Sequence, residues 1–325
     1  MNGIYIHIPF CVKRCIYCDF YSTTYGEKIQ NGYVNALCNE LIMRKNYLPT
    51  NGKISSIYIG GGTPSRLTAA QLVQIFSTIS QHYSISKDAE ITMEMNPDDV
   101  TIEYMTSLLG LPINRISLGV QTFDDKQLKF LNRRHTSQQV YDAINIIRQF
   151  GITNISIDLI YGLPSQTLQQ WNNDVDKALS LPITHLSAYA LIYEENTPLY
   201  NMLKEGKVKE ANEDLSLAMF ESLIDKTRTK GFEHYEISNF ALPKLRAKHN
   251  SGYWHGMLYL GCGPGAHSYN GNSRQWNNQN VMQYIECNGN VTEAQLFEVE
   301  ELTPEMKYNE LLLTSLRTSD GLDLS

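Results

Sequence analysis

Gly3-Ile-Tyr-Ile-His-Ile-Pro-Phe-Cys11-Val-Lys-Arg-Cys15-Ile-Tyr-Cys18-Asp-Phe20 is the stretch on which the fold turns. Ile4, Ile6 and Ile8 alternate with Tyr5 and His7 at the period of two that a strand requires, and Pro9 stops the ladder because it has no amide proton. The strand therefore runs into a loop in which Cys11, Cys15 and Cys18 form a C-x3-C-x2-C triplet. Closely spaced thiolates suit a soft metal centre. A cubane iron–sulfur cluster normally needs four protein sulfurs to fill its iron sites. This loop offers three, so one iron is left open for a ligand that brings its own amine and carboxylate. A zinc knuckle would want a fourth Cys or His at matching spacing, and none is nearby.

Beyond the loop, helical and strand patterns alternate in the βα rhythm of a parallel sheet. Strands are expected at 54–60, 90–96, 115–121, 154–161 and 185–190, with helical patterns near 27–46, 68–83 and 137–150. With the first strand these make an open (β/α)6 partial barrel. Chemistry in such barrels collects where strands hand over to loops. There the chain has Gly60-Gly61-Gly62-Thr63-Pro64, whose backbone can approach a ligand with no Cβ in the way. Glu94 sits beside Asn96-Pro97, and Gln121, Arg133 and Asp158 fall at later strand ends or their loops. The plainer readings are a tight turn for the glycines and a solvated loop acid for Glu94. Asp158 has apolar flanks, so a ligand or a structural partner must satisfy its carboxylate.

Composition narrows the class. The chain has 325 residues, a net charge of -7 and no long basic run, which argues against nucleic acid as a partner. No signal-like segment and no bilayer-length apolar run occur, so a cytoplasmic location is expected. Cys38, Cys262 and Cys287 are scattered without disulfide spacing. Residues 231–276 are dense in aromatics, histidines and glycines. A histidine beside aromatic pairs there could be an axial haem ligand or ordinary sheet packing, and His249, His255, His267 and Cys262 are all candidates by type. The charged run from Lys204 to Asp214 reads as solvated surface. Leu302 to Arg317 reads as a helix with a Thr cap, Pro in its first turn and a leucine face.

The triplet, with Tyr5 and His7 ahead of it and Tyr17 before Cys18, resembles the radical S-adenosylmethionine (SAM) superfamily. The resemblance implies a [4Fe-4S] cluster on Cys11, Cys15 and Cys18 whose open iron chelates SAM, and whose electron cleaves it to a 5'-deoxyadenosyl radical. It also implies an α/β fold: a partial (β/α)6 TIM-like barrel core at 1–200 and a C-terminal accessory α/β region at 201–325. In the coproporphyrinogen-oxidase-like branch, the positions matching Tyr5, Tyr17, Gly61, Gly62, Thr63, Glu94, Gln121, Arg133, Asp158 and Ala190 bind SAM. Alignment to an Asn-Arg motif favours Arg133 over its neighbour Arg134.

Within that branch, His249-Asn-x-x-Tyr-Trp254, Tyr235-Glu-Ile-Ser-Asn-Phe240 and Gly265-Ala-His267 look like the haem-chaperone members, and this implies haem bound through His249. Haem-accepting apoproteins are then the implied partners; a reductant protein, peripheral membrane contact and a homodimer stay open. The alternative is an oxygen-independent coproporphyrinogen III oxidase, which uses the same cluster and SAM for radical decarboxylation. That enzyme has a further cysteine where this chain has Phe20, and a long extension where this chain has ten residues before Cys11. Both differences favour the chaperone. The family continues beyond the residues that end this chain into a small winged-helix-like segment, so truncation is expected.

Overall fold

The computed structural model describes residues 2–49 and 52–322. Six strands, β1 (Asn2–Ile8), β2 (Ile54–Gly61), β3 (Ile85–Met95), β4 (Arg115–Gln121), β5 (Asn154–Tyr161) and β6 (His185–Ala190), pair in parallel in chain order. Helices such as Gln30–Met43, Ala69–His82, Ser137–Gln149 and Leu168–Ser180 form the crossovers between them. The hand-over from loop to helix is written in the sequence. Thr68 and Gln71 form a reciprocal capping box, and Thr167 and Gln170 form another, each satisfying amides that the first turn leaves orphaned.

The strands bury both faces in different ways. Ile4, Ile6 and Ile8 on β1, Ile57 and Ile59 on β2, and Ile116, Leu118 and Val120 on β4 are essentially inaccessible. They meet helix residues such as Leu37, Leu72 and Ile144 in one core cluster. Each such side chain contributes about 1.5–3 kcal/mol when fully buried. The alternate positions are polar. Arg115, Ser117, Gly119 and Gln121 on β4 point to the other face, and the register places Glu94 opposite Ser117, Gly119 opposite Asp158, and Asp158 opposite Ser187. A polar lining thus runs across neighbouring strands.

One strand starts earlier than its pattern indicates. β3 begins at Ile85 rather than Glu90, because Ile54 pairs with Ile85 before a register shift brings Ser56 opposite Glu90. Its first residues include exposed Lys87 and Asp88, which hides the strand from a hydrophobicity pattern.

The later residues extend the same sheet at both edges. β7 (Glu233–Glu236) and β8 (Asn239–Ala241) form an antiparallel pair beyond β6. β9 (Leu258–Cys262) lies parallel to β1, followed by β10 (His267–Tyr269), β11 (Ser273–Asn277) and β12 (Phe297–Glu301) in antiparallel order. Among the described residues the sheet has 12 strands and ends on β12 and β7. No helix among them is long and apolar enough to cross a membrane.

A buried polar knot ties this edge to the first helix. Glu40, with no exposed surface, accepts from Arg44 at 2.9 Å, Asn277 at 2.8 Å, the Gly263 amide at 2.8 Å and the Tyr284 hydroxyl at 2.6 Å. Arg44 in turn donates to the Gly261 carbonyl and to Ser268, both at 3.0 Å. Every charge in the knot is answered, as burial requires.

Candidate functional site

A cavity of about 480 Å³ opens at the C-terminal ends of the parallel strands, and Cys11, Cys15 and Cys18 all line it. The loop that carries them is held by backbone bonds from Cys11 N–H to the Thr23 carbonyl at 2.9 Å and from Thr23 N–H to the Pro9 carbonyl at 2.7 Å. All three cysteines are free thiols. Among the described residues no three His, Cys, Asp or Glu side chains converge as ligands of one ion would. Sulfurs that bind different irons of a cubane need not converge in that way.

The surroundings fit such a group. Thr63 donates to Cys11 Sγ at 3.6 Å and Arg133 Nη1 to Cys15 Sγ at 3.4 Å, the kind of hydrogen bond to sulfur that tunes a cluster. Burial pushes the Cys11 thiol up and the Cys18 thiol up to about 12, so binding iron must displace protons.

The other residues singled out from the sequence gather here too. Tyr17, Gly61, Gly62, Thr63, Glu94, Gln121, Arg133, Asp158 and Ala190 line this same cavity. Arg133 also donates through Nη2 to Asn96 Oδ1 at 2.7 Å and to the Gly119 carbonyl. Arg134 turns away to Asp99 at 2.8 Å and Asp98 at 3.1 Å, which separates the twins. Gln121 holds a φ of 68°, a left-handed conformation that is costly for a residue with a Cβ and is found most often where a site over-determines the backbone.

The glycines answer to the protein itself. A Cβ on Gly62 would lie 2.9 Å from the Ile8 carbonyl oxygen and 3.0 Å from the Phe10 amide nitrogen. Gly61, at φ +109°, would drive one into the His7 ring at 2.7 Å. Close packing of β2 against the cysteine loop therefore requires them, whatever ligand their amides meet.

Arg115 and Ser117 are site residues that motif reading missed. Arg115 is 1% exposed and lines the cavity, and among the described residues neither its Nε nor that of Arg133 has a hydrogen-bond partner. Two guanidiniums with spare donors would suit a carboxylate. The signal was present in the polar alternation Arg115, Ser117, Gly119, Gln121 along a strand whose other residues are apolar.

Glu94 accepts from the Tyr58 hydroxyl at 2.7 Å and from the Gly61 amide at 3.1 Å. Burial pushes its carboxyl up to about 7; those two donors and Arg115 oppose the shift, and Asp158 adds to it. The charge of Glu94 in turn helps push up the hydroxyls of Tyr5, Tyr189 and Tyr253. Because the folded value lies above the unfolded one, the folded chain holds the extra proton between them, and Glu94 loses stabilising effect as pH rises toward 7. A cationic ligand has the opposite preference. We expect SAM affinity, read by equilibrium dialysis on cluster-reconstituted protein, to fall by up to about tenfold per pH unit below 7. Glu94→Gln should bind weakly with no such slope; an unchanged slope in that variant would remove Glu94 from the ligand's contacts.

Two of the expected contacts lie elsewhere. Tyr5 lines a second cavity, of about 960 Å³, and its hydroxyl is 3.0 Å from His7 Nδ1. His249 lies in the short helix Lys248–Trp254, is 1% exposed, and lines neither cavity. Its Nδ1 is 2.9 Å from Ser56 Oγ and its Nε2 2.9 Å from the Tyr253 hydroxyl, so both ring nitrogens are engaged. Asp19 and Phe20 line both cavities, and Phe20 is 63% exposed.

The model of the radical SAM superfamily matches residues 5–178. A haem chaperone HemW from Lactococcus lactis is 37% identical over 99% of this chain and 83% of its own, and one from Bacillus subtilis is 36% identical over 99% and 85%. Among solved structures, the coproporphyrinogen III oxidase HemN from Escherichia coli, a radical SAM enzyme, superposes with a TM-score of 0.82 at 24% identity. The match spans 98% of this chain and 75% of that one, and at this identity it speaks for the fold.

Proposed function

The chain belongs to the radical SAM superfamily, in its HemW-like branch beside the coproporphyrinogen oxidases, and from that premise we propose how its two cavities serve a haem chaperone. Membership of the superfamily implies a [4Fe-4S] cluster and SAM, which together supply reductive cleavage of SAM. In this reading Cys11, Cys15 and Cys18 hold the cluster. Thr63 and Arg133 hydrogen-bond its sulfur ligands. Arg115 and Arg133 offer charge to a carboxylate, and Glu94 offers an acceptor to an amine or hydroxyls. Haem is bound separately and passed to haem-requiring apoproteins such as respiratory enzymes, in a reducing cytoplasm that protects the cluster.

The near full-length similarity to proteins named haem chaperones carries this reading. Phe20 agrees with it, since an exposed aromatic ring stands where the oxidase would present a thiol. The test is an anaerobic haem titration of the cluster-reconstituted protein followed by Soret absorbance. Saturable, near-stoichiometric binding and transfer to an apo respiratory enzyme are expected. No saturable binding, or protoporphyrinogen formed from coproporphyrinogen III with SAM and a reductant, would overturn the proposal.

A further inference from the structure

The geometry points to the second cavity as the haem seat, with His267 rather than His249 as the axial ligand. This inference rests on the haem-carrying function just proposed.

The cavity, about 960 Å³, lies at the upper end of the roughly 300–1,000 Å³ usual for small-molecule pockets. Its walls include Tyr253, Trp254, Tyr259 and Tyr269, flat surfaces of the kind a macrocycle stacks on. Phe20 reaches it from the cysteine loop and Leu311, 53% exposed, from the helix Pro304–Ser315.

Cations at the rim suit the propionates of haem. Arg274 is taken by Glu310 through two bonds of 3.1 and 2.8 Å. Among the described residues Lys307 is met by the neutral Asn272 side chain at 2.9 Å and by no carboxylate. A carboxylate arriving there gains a charge-assisted bond.

Elimination selects the ligand. An axial histidine must present an unprotonated ring nitrogen with its lone pair free. His7 is buried with Nδ1 against Tyr5 and Nε2 against the Tyr21 carbonyl at 2.8 Å. His249 is engaged at both nitrogens and sits outside the cavity. His255 lines the cavity and can donate Nδ1–H to the Ser251 carbonyl at 2.7 Å, which leaves Nε2 for ligation, but that nitrogen faces the Asp320 carboxylate at 3.3 Å. Asp320 is itself held by Arg246. Cys262 is wholly buried and lines neither cavity.

His267 differs from all of these. It lies on β10 opposite Trp276 of β11, stacked at 5.9 Å between ring centroids, and is exposed on the cavity wall. Among the described residues no hydrogen bond or ion pair occupies either of its ring nitrogens. The partial desolvation of its ring against the cavity wall and the charge of Arg274 hold it below the ordinary histidine range, which favours the neutral, ligating form.

The deciding experiment titrates ferric haem into the cluster-reconstituted chain, comparing wild type with His267→Ala, His255→Ala and His267→Cys. We expect His267→Ala to weaken binding by at least about tenfold and to displace the Soret maximum, with free imidazole restoring it. His255→Ala should keep the wild-type spectrum. His267→Cys should give the spectrum of thiolate-ligated haem, which decides the matter should the alanine variant misfold. Wild-type affinity and spectrum in His267→Ala, or a Soret change in His255→Ala instead, would overturn the assignment. Failure of the wild type itself to bind would defeat the haem-chaperone reading from which it follows.

Discussion

Cys15→Ser is expected to leave the protein folded and without its cluster: iron and sulfide retained after reconstitution and desalting should fall to background. Loss of an outer-shell partner alone lowers metal affinity about 10–100-fold, so loss of one of three protein sulfurs should exceed about 100-fold. The loop does not depend on the thiol for its shape. Cys15 is partly exposed, and the turn is closed by backbone bonds at Cys11, Thr23 and Cys18. SAM binding should disappear with the cluster, because the open iron is the point of chelation that the resemblance implies. Cys287→Ser, outside both cavities, should retain full iron. Thr63→Val, which removes the hydrogen bond to Cys11 and the acceptor of the Asn96 amide at 3.2 Å but no sulfur ligand, should fall between the two. A full iron complement in Cys15→Ser would show that the triplet does not hold the cluster.

Glu40→Ala should destabilise the chain by about 3–5 kcal/mol, the effect of breaking a buried ion pair and leaving one charge unanswered. Four donors lose a carboxylate acceptor at once: Arg44 and Asn277, which keep other partners, and Tyr284 and the Gly263 amide. Equilibrium urea unfolding reads this directly as a lower midpoint at nearly constant slope. The region around β9 to β11 should exchange its amides first, since Glu40 and Arg44 join it to the helix Gln30–Met43. The double variant Glu40→Met with Arg44→Met should recover most of the loss, because the uncompensated charge is gone. A drop of less than about 1 kcal/mol in Glu40→Ala would mean that solvent reaches the knot.

Much of the barrel side of the molecule could be read in one dimension. β1 into the cysteine loop, the later strand segments and the Thr-x-x-Gln helix starts depend on residues a few positions apart, and local spacing is what a sequence displays. Cys11, Cys15, Cys18, Gly61, Gly62, Thr63, Glu94, Gln121, Arg133, Asp158 and Ala190 converge on one cavity because parallel strands all present their C-terminal ends at the same side. Arg115 escaped notice because a charge inside a strand pattern has no motif attached to it. The early start of β3 at Ile85 escaped because its exposed residues join the sheet by backbone pairing alone.

The sequence by itself thus determined the chemistry that local spacing encodes: a strand that delivers three thiolates, glycines at the next turn, and a family whose members use them. The tertiary structure alone decided which polar groups remain available. Glu40 and Arg44, four apart at the end of the helix Gln30–Met43, have the spacing of a solvated pair, yet residues more than 200 positions away close over them. His249 and His267 both lie in stretches that suggest haem, but Ser56 and Tyr253 occupy the nitrogens of His249, while among the described residues no hydrogen bond occupies those of His267. The physical reason is the same in each case. A ring nitrogen or a carboxylate acts according to its burial and its partners, and those are set by residues distant in the chain that only the packed fold brings near.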